Sequence, residues 1–272
     1  MSYTPHNKYS PERVLEIIRL FNEGMSPTEI AKKFNTYNTT IRRILIRNNI
    51  TPTTYGETQK LVKGNPFKDL SSEAQYWIGM LAADGYIYKN RVSLELKDKN
   101  HIEKFNSFLG GNLHIYETTH PKYSSKGYRI SFRSEEVSTF LKTLGLVQQK
   151  TFSIKLETSM TWPIFYGILD GDGCITRAGK NRLRIEIVTA SPDLKNQLID
   201  FLTSENIHCT QSKLSTLFYL RVSSQKEVYK VYQKLLPLKS FGLDRKFQKF
   251  INSSAIRKLI DENTANSGKP KS

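Results

Sequence analysis

Between Ser10 and Ile50 the apolar positions recur at helical spacing: Val14, Leu15, Ile17, Ile18 and Phe21, then Ile30, Ala31 and Phe34, then Ile41, Ile44 and Leu45. This pattern predicts three short helices. Gly24 closes the first, and Ser26-Pro27-Thr28-Glu29 opens the second with a capping-box pattern and proline at the first helical position. Residues 51–70, with Pro52, Gly56, Gly64 and Pro66 among threonines and lysines, follow neither period and read as a linker.

Beyond residue 70 the period switches. Two hydrophobic helix-like runs, Tyr76–Ile87 and Ile164–Ile175, each lead into segments of strict alternation. Val92, Leu94 and Leu96, and Leu183, Ile185 and Ile187, fall on one face; Arg91, Ser93, Glu95 and Lys97, and Arg182, Arg184 and Glu186, fall on the other. Later strands repeat the rule, with Ile130 and Phe132 inward against Arg129, Ser131 and Arg133, and Leu220 and Val222 inward against Tyr219, Arg221 and Ser223. The expected elements are half-exposed antiparallel sheets, apolar on one side and polar to basic on the other.

The two runs are copies of each other. Aligned without gaps, Gly79 meets Gly167, Leu81 meets Leu169, Asp84 meets Asp172, Gly85 meets Gly173 and Ile87 meets Ile175. Each is followed by strands, a helix carrying Phe-Leu (Phe108-Leu109 and Phe201-Leu202), two more strands and a last helix near Gly145 or Gly242. The order predicts an α+β fold made by duplicating an αββαββα unit with pseudo-twofold symmetry, behind a small all-α module. The expected domains are 1–50, the linker 51–70, repeats at 71–150 and 151–258, and a disordered polar tail at 259–272.

Each copy ends a helix in acid, against the partial negative charge of a helix C-terminus. Gly79 and Ala83 lie four residues apart on one helix, as do Gly167 and Gly171 on the other, making a smooth stripe on each. Two such stripes allow close backbone packing, and symmetry then makes Asp84 and Asp172 neighbours. Like charges that close are unfavourable, and divalent cations remove the penalty; hard oxygen ligands suit Mg²⁺.

Charge narrows the partner. Forty-one Lys and Arg against twenty-five Asp and Glu in 272 residues give a formal net charge of +16, a field that attracts a polyanion, nucleic acid first. No apolar run approaches the length of a membrane span and no signal peptide is evident, so a soluble intracellular protein, in cytoplasm or nucleoid, is expected. Cys174 and Cys209 have neither the number nor the spacing of a zinc or disulfide framework and read as reduced. The five histidines lack ligand spacing, and surface or loop roles are expected for them.

The front module, Gly-Met-Ser-Pro-Thr-Glu-Ile-Ala-Lys-Lys-Phe-Asn followed by Thr39-Thr40-Ile41-Arg42-Arg43-Ile44-Leu45, resembles helix-turn-helix domains of the resolvase and transposase kind. On that resemblance the third helix reads DNA, with Asn38, Thr39, Arg42, Arg43 and Arg47 as contacts. Tyr76-Trp-Ile-Gly-Met-Leu-Ala-Ala-Asp-Gly and Ile164-Phe-Tyr-Gly-Ile-Leu-Asp-Gly-Asp-Gly resemble the LAGLIDADG motif of homing endonucleases, and the resemblance covers about residues 71 to 258. That family carries an acid two positions before the metal-binding Asp; Asp170 keeps it and Ala82 replaces it in the first copy.

The resemblance implies a monomeric enzyme whose saddle-shaped sheets straddle a long, non-palindromic duplex DNA target and hydrolyse both strands. Asp84 and Asp172 are the implied catalytic acids, and with Gly85 and Gly173 they form the implied metal set for Mg²⁺. Mn²⁺ is expected to substitute, and Ca²⁺ to support binding without cleavage. The family places a lysine late in each repeat, here Lys150 and Lys246, near the scissile phosphate. DNA contacts are expected from the polar sheet faces: Tyr86, Tyr88, Arg91, Ser93, Lys97, Arg129 and Arg133 in the first repeat, and Thr176, Arg182, Arg184, Tyr219 and Arg221 in the second. Two other readings stand beside this one: a DNA-binding regulator that has lost cutting, and an RNA maturase that binds its own intron. The ends of the chain lack the splicing blocks of an intein, so an intron-borne or free-standing gene is expected.

Overall fold

The computed structural model describes residues 9–22, 25–50, 62, 64–120, 125–147, 152–179 and 182–267. Two compact units divide the chain, Met1–Thr58 and Gln59–Ser272.

The first unit holds the three expected helices, α1 (Pro11–Asn22), α2 (Pro27–Lys33) and α3 (Asn38–Arg47). Its core is Ile17, Leu20, Ile30, Ala31, Ile41, Ile44 and Leu45; of the other residues at helical spacing, Val14, Ile18, Phe21 and Phe34 pack against it half-buried and Leu15 is exposed, while Leu20 joins the core. The capping box forms as written: Ser26 Oγ accepts from the Glu29 N–H at 3.3 Å and Glu29 Oε2 accepts from the Ser26 N–H at 2.8 Å. Such reciprocal caps satisfy two otherwise orphaned helix donors.

The second unit runs α4 (Ser72–Ala83), β1 (Gly85–Tyr88), β2 (Arg91–Leu96), α5 (Lys99–Phe108), β3 (Tyr116–His120), β4 (Ser125–Arg133), α6 (Glu135–Thr143), then repeats as α7 (Trp162–Gly171), β5 (Gly173–Arg177), β6 (Leu183–Thr189), α8 (Pro192–Ser204), β7 (Thr210–Leu214), β8 (Leu217–Val222), α9 (Gln225–Leu235). This is αββαββα twice. The sheets are antiparallel and share one topology, β1-β2-β4-β3 and β5-β6-β8-β7. Along β6 burial alternates without exception from Leu183 to Thr189, so the helices cover one face of the sheet and leave the polar face open.

Two helices follow the duplicated pair: α10 (Asp244–Ile251) and α11 (Ser254–Ser267). Helix α11 corrects the expected disordered tail as far as Ser267, because the helix continues through Leu259, Ile260 and the polar residues after them; residues 268–272 lie outside the described residues. Buried Ile256 anchors its first turn to the core. The linker also needs correction at its far end. Val62 and Phe67 are buried in the second unit, and the Phe67 ring meets that of Phe108 at 5.0 Å. Residues 51–61 and Lys63 lie outside the described residues.

Helix α10 covers the free edge of β5. Lys246 Nζ donates to the Gly173 carbonyl at 2.6 Å and Lys249 Nζ to the Ile175 carbonyl at 2.7 Å. One helical turn between the lysines matches two residues along the strand. An open strand edge is a template for further pairing, and covering it is one way that proteins prevent this. No helix among the described residues is long and apolar enough to cross a membrane.

Candidate active site and nucleic-acid interface

Helix α4 is apolar on nearly all sides, with Ala74, Tyr76, Trp77, Ile78, Gly79, Met80, Leu81 and Ala82 buried. α7 buries every residue from Ile164 to Asp170. Helices of that kind sit in the middle of a core rather than on its surface. They pack against each other through the small residues: a Cβ on Gly79 would overlap the Ile164 carbonyl, and one on Gly167 would lie 2.5 Å from the Met80 nitrogen. Only hydrogen fits at those positions.

The C-caps of the two helices are Asp84 and Asp172, and both side chains are exposed. A Cβ on Gly171, the residue before Asp172, would lie 3.1 Å from Asp84 Oδ2. The crossing therefore brings the first carboxylate against the helix end that carries the second.

Lys246 compensates the end of α7. It is buried, and its Nζ donates to the carbonyls of Leu169 at 2.9 Å and Gly173 at 2.6 Å, and also to that of Asp170. A cation at a helix C-terminus opposes the dipole that the acids aggravate. Burial pushes the Lys246 ammonium below the usual lysine range, while Asp170 and Asp84 pull it back up. The ammonium is thus buried and bonded to three carbonyls, including that of Gly173. Lys150 lies outside the described residues.

Asp170 points the opposite way from Asp172. It is buried, and Oδ2 accepts from the Tyr76 hydroxyl at 2.8 Å and from the Leu243 N–H at 2.7 Å. Burial pushes its carboxyl up to about 7, against the lowering pull of the Leu243 N–H, Lys246 and Tyr76. The Tyr76 oxygen also meets His101 Nε2 at 2.7 Å. With the tyrosine proton committed to Asp170, Nε2 carries the histidine proton and donates. His101 is therefore a core residue, a correction to the surface role expected of it. Burial lowers it to about 3, with Lys104, Arg245 and Lys246 adding to the effect.

The segment before α10 ties the repeats together. Lys104 Nζ donates to the Gly242 carbonyl at 3.1 Å, and Arg245 Nε reaches both oxygens of Asp98 at 3.1 and 3.0 Å. Sequence reading missed this chain of contacts. Its one signal was Asp170, whose pairing with Tyr76 joins residues ninety-four apart.

The open sheet faces carry the expected polar residues. Tyr86 and Tyr88 are exposed, with ring centroids 6.4 Å apart. Ser93 Oγ donates to Ser131 Oγ at 2.8 Å. Arg91 stands directly opposite Arg133 in the β2–β4 register. Lys97, Thr176 and Arg182 are exposed and Arg184 is half-buried. Glu95 pairs in register with Arg129, and Glu186 with Arg221. These pairs occupy matching places in the two sheets. Arg129 Nη1 lies 4.0 Å from Glu95, and Arg221 is bonded to Glu186, stacks 5.1 Å from the Tyr219 centroid and donates to Ser212 at 2.7 Å. Both arginines are held in place by protein contacts.

On α3, Thr39, Arg43 and Arg47 are exposed and Arg42 is half-buried. Asn38 is half-buried, and its Nδ2 donates to Thr28 Oγ1 at 2.5 Å, tying the start of α3 to α2.

The second unit is a duplicated αββαββα unit whose paired central helices end in acids, and a three-helix module stands before it in the chain. Residues 71–145 match the family model of the LAGLIDADG-like domain, and residues 12–49 match that of the CENP-B N-terminal DNA-binding domain. No curated protein matches the chain. Among solved structures it is similar to the N-terminal LAGLIDADG domain of DUF199/WhiA, at 14% identity over 70% of this chain and 91% of that one, TM-score 0.42. Full-length DUF199/WhiA from Thermatoga maritima is 13% identical over 79% of this chain and 72% of that one, TM-score 0.43. I-SmaMI bound to uncleaved DNA target in the presence of calcium ions is 14% identical over 76% of this chain and 95% of that one, TM-score 0.46.

Proposed function

We propose that the protein is a site-specific double-strand DNA endonuclease, a homing endonuclease carried by an intron or a free-standing gene, that works as a monomer with divalent cations at Asp84 and Asp172. The observation that carries this reading is the glycine-mediated crossing of α4 and α7, which leaves the Gly171 Cα side of one acidic helix end against Asp84 of the other.

The donor chemistry fits the metal: Asp84 and Asp172 are hard carboxylates exposed at the two helix ends, and they would leave other positions to water and substrate phosphate, the mode typical of Mg²⁺. The chemistry a divalent cation supplies there is activation of water and stabilisation of the departing oxygen. The chain's own residues do the rest. Asp84 and Asp172 fix the two strand-cutting positions relative to each other through rigid helices. Lys246 holds the α7 end in place from below, as a positioning residue. The exposed sheet faces orient the duplex. The CENP-B-type module adds a second hold on neighbouring DNA, which raises affinity through effective concentration.

The test is cleavage of duplex DNA spanning the uninterrupted insertion locus. Wild type should cut both strands in Mg²⁺ and bind without cutting in Ca²⁺. Asp84→Asn and Asp172→Asn should bind but nick one strand or neither. Tight binding without cleavage by wild type in any metal would replace the endonuclease with a regulator. Preference for the intron RNA at matched salt would replace it with a maturase.

A further inference from the structure

We propose that the basin between the β5–β6 hairpin and the start of α11 binds a backbone phosphodiester of duplex DNA, extending the contact surface on the second-repeat side only; this rests on the DNA-binding reading above. The basin has a volume of about 530 Å³ and is lined by Arg177, Arg182, Lys249, Asn252, Ser253 and Ser254 together with three residues of the strands, with no carboxylate among them.

Four features make it an anion site. Three cationic side chains converge from different elements: Arg177 ends β5, Arg182 precedes β6 and Lys249 lies on α10. Lys249 is held there by its bond to the Ile175 carbonyl at 2.7 Å, which uses one of its three protons and leaves two for a ligand. Helix α11 has fourteen residues and no acid in its first turn, so its positive end adds to the field. Ser253 Oγ accepts from the Ile256 N–H at 3.4 Å, fixing the helix start where Ser254 lines the basin. Phosphate oxygens need this combination of positive field and short donors.

The site is one-sided because the sequence is. Helices α10 and α11 come after the second αββαββα unit, while among the described residues no α-helix stands between α6 of the first unit and α7. In the first repeat the corresponding hairpin is backed instead by Lys142, whose Nζ donates to the Lys89 carbonyl at 2.6 Å. The pseudosymmetry of the core is therefore broken at the rim, and the hold on the backbone reaches further on the second-repeat side.

The experiment uses the full chain and a fluorescein-labelled duplex of random sequence, with affinity measured from about 50 to about 200 mM salt, because log affinity falls with log salt by about 0.9 per phosphate neutralised. The basin variants are Arg177→Ala/Arg182→Ala and, separately, Ser254→Glu, whose new acid is favourable in a first helical turn and so spares the fold. The control, Lys226→Ala/Lys239→Ala, removes the same two charges from outside the basin. We expect both basin variants to flatten the salt slope by about 1 and the control to match wild type. Basin variants that match the control while wild type binds overturn the phosphodiester site and leave the DNA reading standing. Wild type that fails to bind duplex overturns both. A melting temperature that rises with inorganic phosphate at constant ionic strength, is lost in Ser254→Glu, and comes with unchanged DNA slopes would make the basin a free-anion site and overturn the assignment to DNA.

Discussion

Gly167 lies so close beneath α4 that a Cβ on it would overlap the carbonyl oxygen of Tyr76. The obstacle is backbone on a rigid helix, so the helices would have to separate. Gly167→Ala should therefore cost about 1–3 kcal/mol of stability, the range for overpacked cores, read as a lower urea midpoint. Gly171→Ala meets the Ala83 side chain and Asp84 rather than backbone. It should lose more cleavage than stability, because the strain falls on the relative position of the two acids. Equal effects of the two substitutions on both readouts would remove the link between helix contact and site geometry.

Lys246 separates a positioning role from direct chemistry. Lys246→Met keeps the apolar stem but leaves the carbonyls of Leu169, Asp170 and Gly173 without their donor. Each unsatisfied buried group costs about 1–3 kcal/mol, so the variant should melt well below wild type in metal-free buffer. A variant that cuts poorly yet melts like wild type would return Lys246 to a direct role at the phosphate.

His101 gives the fold a pH dependence. Its folded value of about 3 lies below the ordinary value of 6.5, so the unfolded chain takes up the proton first as pH falls. Its contribution to stability is complete above the unfolded pKa and is lost as pH drops from about 6.5 toward 3, by an upper figure of roughly 4–5 kcal/mol. His101→Gln can still bond to the Tyr76 hydroxyl and carries no proton to gain. Urea titrations at several pH values should show a shallower acid limb for the variant, and parallel curves would count against the buried histidine as its source.

The helix-turn-helix unit should hold DNA largely through phosphate contacts. Arg43 and Arg47 are exposed on α3, and Arg43→Ala/Arg47→Ala should reduce the salt slope by up to about 2 without lowering the melting temperature. Asn38→Ala should do the reverse in part, destabilising the unit through loss of the bond to Thr28. A salt slope unaffected by the arginine pair would place this unit's DNA contacts elsewhere.

Much of this was legible from local rules. The period of the apolar positions determined the three front helices and the alternating sheet faces, and the capping box at Ser26 formed from four residues. The repeat of Gly79 and Asp84 in Gly167 and Asp172 determined the duplication and the pairing of acids, because side-chain volume on a helix face sets how near two helices can come. The limits lay where contacts join residues far apart in the chain. Phe67 read as linker because turn residues surround it, yet it fills a core position beside Phe108. Residues 259–267 read as loose because the side chains from Asp261 on are polar and carry no period, yet Ile256 and Ile260 dock on the core and give α11 its anchor.

What the sequence by itself determined is the architecture and the identity of the two exposed acids, since both follow from short-range period and from an internal copy. Only the tertiary structure decided which way the neighbouring acid and the late lysine point. Asp170 and Asp172 are two residues apart, but one is buried on Tyr76 and Leu243 and the other is open to solvent. Lys246 sits in a basic stretch that any surface could carry, and its ammonium is instead drawn under α7 by three carbonyls. The physical reason is the same for both: a buried charge goes where donors or acceptors from other segments satisfy it, and those segments meet only once the chain has folded.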